Sequence, residues 1–219
     1  MKRKKLLTYS LFFAGLIALF LFFVFWGTDN WKTSLPTLSA VQPFSFTAEN
    51  GKTFTDKDMQ GKVCVVNYFF TTCKGICPRM NGNMKKVYEA FKDQPDFMIV
   101  SHTSDPETDS AATLLKYAEK MKVDTHKWVF LTGRKDSLYQ QARNSYLLDD
   151  PKNSVKNIDD QFLHTQFFAL VDKNGNVRGQ IYDGLKTSDL KQLESDINTL
   201  LNEPETNTHF VNGMFTNNP

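Results

Sequence analysis

The longest uninterrupted apolar stretch lies near the start of the chain. From Leu6 to Trp26 it reads LLTYSLFFAGLIALFLFFVFW, 21 residues without a charge. As a helix rising about 1.5 Å per residue it would reach roughly 31 Å, enough to span a bilayer. A cleaved signal peptide has a shorter apolar region, about 7 to 15 residues, and a small-residue cleavage site, which Leu35 to Ala40 matches poorly. The pattern therefore predicts an uncleaved single-pass anchor over 6–26. Lys2, Arg3, Lys4 and Lys5 precede it, and the positive-inside tendency keeps that stub, 1–5, in the cytoplasm. Everything downstream is then expected on the periplasmic or extracytoplasmic side of the inner (cell) membrane. An organelle presequence would be amphipathic and Arg-rich instead.

Beyond the anchor the pattern changes to alternating strand and helix. Residues 27–42, with Pro36 and little periodicity, read as a linker. The folded part is expected over 43–202. Lys62 to Phe70, KVCVVNYFF, is a β-branched and aromatic run suited to a strand buried on both faces. Pro78 to Phe91 follows with Met80, Met84, Val87 and Phe91 on one helical stripe. Phe97 to Ser101 repeats the strand signal. Ala111 to Met121 repeats the helix, with Leu114, Leu115, Ala118 and Met121 inward and Thr108 or Asp109 available as its cap. Trp128 to Thr132 is a third strand and Ser137 to Tyr146 a helix. Phe167 to Val171 and Val177 to Tyr182 flank DKNGN, where Asn174 and Gly175 can take the positive φ of a tight turn, so they read as a hairpin. A last helix begins at Ser188 with Leu190, Leu193, Ile197, Leu200 and Leu201 inward and stops before Pro204. Residues 203–219, rich in Asn and Thr, read as a loose tail. The predicted fold class is α/β, a mixed sheet with helices on both faces, preceded by one transmembrane helix.

Composition narrows the function classes. The 219 residues are 41% hydrophobic and 23% charged, which supports one packed domain and excludes a disordered chain. Without its basic stub the net charge of +2 becomes about −2, so the chain lacks the footprint of a nucleic-acid binder.

The chemistry concentrates where the first strand of the run meets its helix, at TTCKGICPRMN. Cys73 and Cys77 are four apart, beyond the carboxyl end of a strand, where ligands bind in open α/β sheets. With Pro78 opening the helix, Cys77 is expected at its N-terminus, where free amides and the helix dipole stabilise a thiolate. Gly75 is expected to let the loop turn both sulfurs to one point, and Lys74 to lower the thiol pKa further. A low pKa serves metal binding and disulfide exchange alike, while for an exported chain a structural disulfide is the plain alternative. Structural zinc would require a second ligand pair at similar spacing, and the sequence has none. The spacing is CxxxC, one residue longer than a thioredoxin motif. Phe70 and Lys74 stand where a peroxiredoxin would carry Thr three positions before its reactive Cys.

Four segments in order resemble the Sco/SenC family: CxxxCP at Cys73, Cys77 and Pro78 after a strand ending YFF; SHTSDPETDS with Asp105, Pro106 and Asp109; WVFLTG; and FLHTQFFALVDKNGNV. The resemblance covers residues 43 to 202. It implies a membrane-anchored thioredoxin-like domain that binds a copper ion through the two motif cysteines and a distant histidine. It also implies service in assembling the binuclear copper site of cytochrome c oxidase, with the copper-bearing subunit as partner. By that carry-over Cys73 and Cys77 are thiolate ligands and His164 is the imidazole ligand, in the segment where thioredoxins carry a cis-proline. Two thiolates and an imidazole form a soft set that suits Cu(I).

The same dithiol supports a second class of function, a thiol-disulfide reductase acting on the partner's copper-binding cysteines. There Cys73 or Cys77 is the catalytic nucleophile, the other resolves the mixed disulfide, and a thiol reductant is a further partner. A redox sensor is a third. Of the remaining candidates, His102 stands at a strand end where an apolar residue is expected and is read as a polar strand-end residue or as facing the copper mouth. Asp105 and Asp109 are read as capping or loop-fixing groups, with Asp105 also able to tune His164. Cys64 is read as an inert core thiol. His126 and His209 have no evident partner.

Overall fold

A computed structural model of the chain describes residues 2–25, 35–150, 163, 165–204, 208–211 and 214–217. It divides into two compact units, residues 1–35 and 36–219. The first is helix α1, Lys2–Phe25, within which Lys5–Val24 is long and apolar enough to cross a membrane. Leu6, Phe12, Ile17 and Phe23 on it are exposed, an arrangement that calls for lipid or another apolar surface.

The second unit is built on an eight-stranded mixed sheet. Its strands are β1 (Thr37–Ala40), β2 (Ser45–Ala48), β3 (Thr53–Thr55), β4 (Val63–Phe69), β5 (Phe97–Thr103), β6 (Trp128–Thr132), β7 (Phe167–Val171) and β8 (Asn176–Asp183). Their order across the sheet is β1-β8-β7-β4-β5-β6-β2-β3. β4 is central and buried at every position, so its sequence runs apolar without alternating. It pairs in parallel with β5 and antiparallel with β7. The intervening helices are α2 (Cys77–Phe91), α3 (Ala111–Met121), α4 (Lys135–Asn144) and α5 (Thr187–Asn202).

Strand alternation divides the core between two faces. Cys64, Val66 and Tyr68 of β4 pack with Leu138 and Ala142 of α4. Ring contacts of Phe69 with Tyr117, Phe91 with Phe97, and Tyr88 with Trp128 place α2 and α3 against the other face. Helices on both faces and the β7–β8 hairpin agree with the sequence pattern. At the hairpin turn Gly175 takes the positive φ of 80° alone, because Asp172 Oδ1 accepts the amides of Asn174 and Asn176 and draws the turn closed.

Three segments differ from the sequence expectation. Thr37–Ala40 lies in the stretch assigned to the linker, yet it forms edge strand β1, paired with β8. The tail assigned as loose carries a hairpin, β9 (Thr208–Val211) with β10 (Met214–Asn217). Helix α3 is capped by Ser110, whose hydroxyl accepts the Thr113 amide, leaving Asp109 free for other work. Of the leucines expected inward on α3, Leu114 is buried and Leu115 is exposed.

A candidate dithiol metal site at the end of the central strand

Parallel pairing brings the carboxyl ends of β4 and β5 to one edge of the sheet, where Phe69 is level with Thr103. The two loops that follow are joined at once: Ser104 N–H donates to Phe69 O at 2.8 Å. The first loop carries Cys73 and runs into α2. Cys73 N–H donates back to Phe70 O at 3.3 Å, closing a turn over Thr71 and Thr72. Because β7 is antiparallel to β4, its first residues lie at this same edge. Leu163 is buried, and its amide donates to Tyr139 Oη at 3.1 Å. Tyr139 in turn donates to Ser104 O at 2.8 Å. His164 itself lies outside the described residues.

Cys73 and Cys77 are free thiols in mutual hydrogen-bond contact, Cys77 buried and Cys73 partly exposed. Their protonation is unequal. At Cys73 burial acts to raise the pKa and is outweighed by the hydrogen bond from the Cys77 thiol and by the backbone amides of Cys77, Gly75 and Ile76, so the net shift is downward. At Cys77 burial and the bond to the Cys73 sulfur push the value up to about 12. Of the reduced pair Cys73 is therefore the more acidic thiol, and Cys77 is the one that keeps its proton.

This reverses the expectation that the helix start would ionise Cys77. Ile76 is the N-cap of α2 and has no side-chain hydrogen bond to offer. The Cys73 sulfur occupies that role, accepting from the free amides at the helix start, where negative charge is favoured. Lys74 is exposed, and the lowering at Cys73 is carried by these hydrogen bonds. Nor does Gly75 need its freedom: it has no positive φ, and a Cβ there would meet open space.

Other candidates separate clearly. Cys64 is fully buried, and burial pushes its pKa to about 12, as an inert core thiol requires. His126 is exposed on the surface. His209 falls in β9, its side chain outside the described set. His102 does not face a metal mouth. It is wholly buried, stacked on Tyr68 at 4.9 Å between ring centroids and edged by Phe44, Phe46 and Tyr146. Neither ring nitrogen has a hydrogen-bond partner, and burial lowers the pKa to about 3. The imidazole stands in an aromatic slot as a neutral ring. Asp105 is partly buried, with its amide held by Thr103 Oγ1 and its carbonyl receiving Thr108 and Asp109. Asp109 has no exposure and binds Thr71 and Thr103, a role that sequence reasoning named only as loop-fixing.

A half-open pair of sulfurs is a soft donor set. Among the described residues no three His, Cys, Asp or Glu side chains converge on one point. The SCO1/SenC family profile matches residues 32–202. The chain belongs to the SCO1/SenC family. It is 32% identical over 187 residues to the SCO1 protein homolog of Bacillus subtilis (strain 168), across 84% of this chain and 92% of that relative. Its structure resembles that of BsSco, a member of the Sco family of cytochrome c oxidase assembly proteins in which a disulfide switch was identified, at TM-score 0.65 and 27% identity, covering 78% of this chain and 99% of that one. It also resembles yeast Sco1 with copper bound, at TM-score 0.55 and 25% identity, covering 72% and 88% respectively. The mixed sheet with its covering helices is the thioredoxin-like fold of the Sco proteins.

Proposed function

We propose that this chain is a membrane-anchored metallochaperone that carries copper for assembly of the binuclear copper site of cytochrome c oxidase. Cys73, Cys77 and His164 are its ligands, and the copper-bearing oxidase subunit is its partner. The observation that carries the reading is the hydrogen-bonded Cys73–Cys77 pair of free thiols at the carboxyl end of the central strand, with the pKa of Cys73 lowered by the hydrogen bonds it accepts. Copper bound to the yeast relative supports it, as does the assembly role stated for BsSco. Direction of the chain supports the third ligand, because β7 is entered from the edge on which the cysteine loop lies.

Copper here is cargo, held by soft donors and passed on by ligand exchange. Uptake displaces the proton that Cys77 keeps in the free protein, so apparent affinity rises with pH. The anchor α1 would hold the domain at the membrane with its basic start inside.

A reductase reading is favoured by the asymmetry of the pair. The Cys73 thiolate would attack a disulfide of the partner, releasing one partner thiolate and forming a mixed disulfide. Cys77 would then lose its proton and attack Cys73, releasing the second partner thiol and leaving a Cys73–Cys77 disulfide for an external thiol reductant. His164→Ala separates the two activities. The chaperone reading expects this variant to lose copper transfer to the apo oxidase subunit while its reduced thiols still open the subunit's disulfide. Transfer at the parental rate by the variant would contradict it.

A further inference from the structure

Asp109 belongs to the segment between β5 and α3, where its neighbours need little from its side chain. Ser110 caps the helix. The loop closes on its own backbone, with Asp109 N–H donating to Asp105 O at 2.9 Å and Asp105 N–H to Thr103 Oγ1 at 3.0 Å. A carboxylate with no exposure is costly unless its oxygens are satisfied. Among the described residues no cation pairs with it. Its partners are all neutral: the Thr103 hydroxyl at 2.7 Å, the Thr71 amide at 3.0 Å and the Thr71 hydroxyl in a short hydrogen bond. Two of the three come from the cysteine loop, 38 residues away in sequence.

Thr71 is the first residue inside the turn that Cys73 N–H closes onto Phe70 O. Asp109 thus holds both polar groups of Thr71, and the Cys73 sulfur that meets the amides of Gly75, Ile76 and Cys77 stands at the end of the same turn. We infer that Asp109 is the positioning residue of the dithiol, a buried carboxylate that acts through Thr71 to hold Cys73 beneath the first turn of α2. A carboxylate used only to brace two loops would need no bond to both polar groups of a residue two positions from the cysteine.

The inference deepens the reading of this site as a working dithiol, and its test uses the metal-free full-length chain in detergent, so its failure is distinguishable from failure of the copper assignment. The readout is the rate at which iodoacetamide alkylates Cys73 at neutral pH, followed by mass spectrometry, beside the thermal midpoint. Asp109→Ala is expected to slow alkylation about tenfold, the equivalent of about one hydrogen bond. Thr71→Val, which keeps the amide and removes only the hydroxyl, is expected to slow it about threefold. Asp109→Asn is expected to recover most of the parental rate. Its carboxamide oxygen still accepts the Thr71 amide, and a hydroxyl that turns around accepts its NH₂. Parental alkylation in Asp109→Ala, despite a lowered thermal midpoint, would reduce the carboxylate to a brace and overturn the inference. An Asp109→Asn variant as slow as Asp109→Ala would overturn it in favour of charge. Should Asp109→Ala not fold, an unchanged rate in Thr71→Val would overturn it equally.

Discussion

A histidine with both nitrogens unpaired inside a protein makes a definite claim about pH. His102 has its ring stacked on Tyr68 and its pKa lowered by burial to about 3, against an ordinary value near 6.5. The unfolded chain therefore binds a proton below about pH 6.5 that the folded chain refuses until about pH 3. A depressed folded value contributes stability that is present above the unfolded pKa and is lost as pH falls toward the folded one. Through that window the loss approaches about 1.4 kcal/mol per pH unit. Replacing His102 by Phe, which suits the aromatic slot, should remove this part of the slope. Urea unfolding of the two proteins at pH 7, 6, 5 and 4 checks it, and parallel curves would refute it. The sequence marked His102 as out of place but could not say why, because the rings around it come from β2 and the residue before it, from β4, and from the segment that follows α4. The cysteines teach the same lesson. Their spacing and their position after a strand were legible, whereas which sulfur is the more acidic depends on a loop that folds back onto the helix start.

Elements buried on both faces were the most legible, since a run such as VCVVNYF has no solvated side on which to place polar residues. Edge elements were the least. β1 reads TLSA after a proline and has one neighbour, β8, so composition assigned it to the linker. The structure gives it further attachments: Ser39 Oγ donates to Ser145 O, and the Gln42 amide donates to Ser145 Oγ at 3.0 Å. Starting the soluble domain at residue 43 would strip this strand, leave β8 as a bare edge and unpair several backbone groups. At roughly 1 kcal/mol per lost hydrogen bond, residues 43–219 should unfold at least about 2 kcal/mol more easily than residues 36–219. They should also associate more readily. Equal urea midpoints with monomeric behaviour in both would show that β1 is an accessory. The α3 cap was likewise closed to sequence: Thr108 and Asp109 read as caps and Ser110 takes the role, all three residue types being good caps. What removed Asp109 from that role is Thr71, a partner that only the parallel pairing of β4 with β5 brings near.

At the scale of the whole molecule, one apolar helix and one thioredoxin-like domain divide the labour. The helix is long and apolar enough to cross a membrane. The domain presents a pair of sulfurs at the carboxyl edge of its central strand, directs β7 in from the same edge, and keeps its third cysteine out of the chemistry by burying it. The family was legible from four short segments, and the structure brings the two cysteines of the first segment into contact. The assignment of His164 as a ligand rests on resemblance, since a histidine before a strand carries no mark of a ligand, and the residue lies outside the described residues.

The central claim is that two sulfurs and one imidazole hold a copper ion. Its most direct test is anaerobic titration of the reduced domain, residues 36–219, with Cu(I) against a competing chelator, for the parent and for Cys73→Ser, Cys77→Ser and His164→Ala. The account predicts one equivalent bound tightly by the parent, binding abolished by either serine, and affinity weakened at least about tenfold by the alanine. Tight binding of one equivalent that survives loss of either cysteine would contradict it.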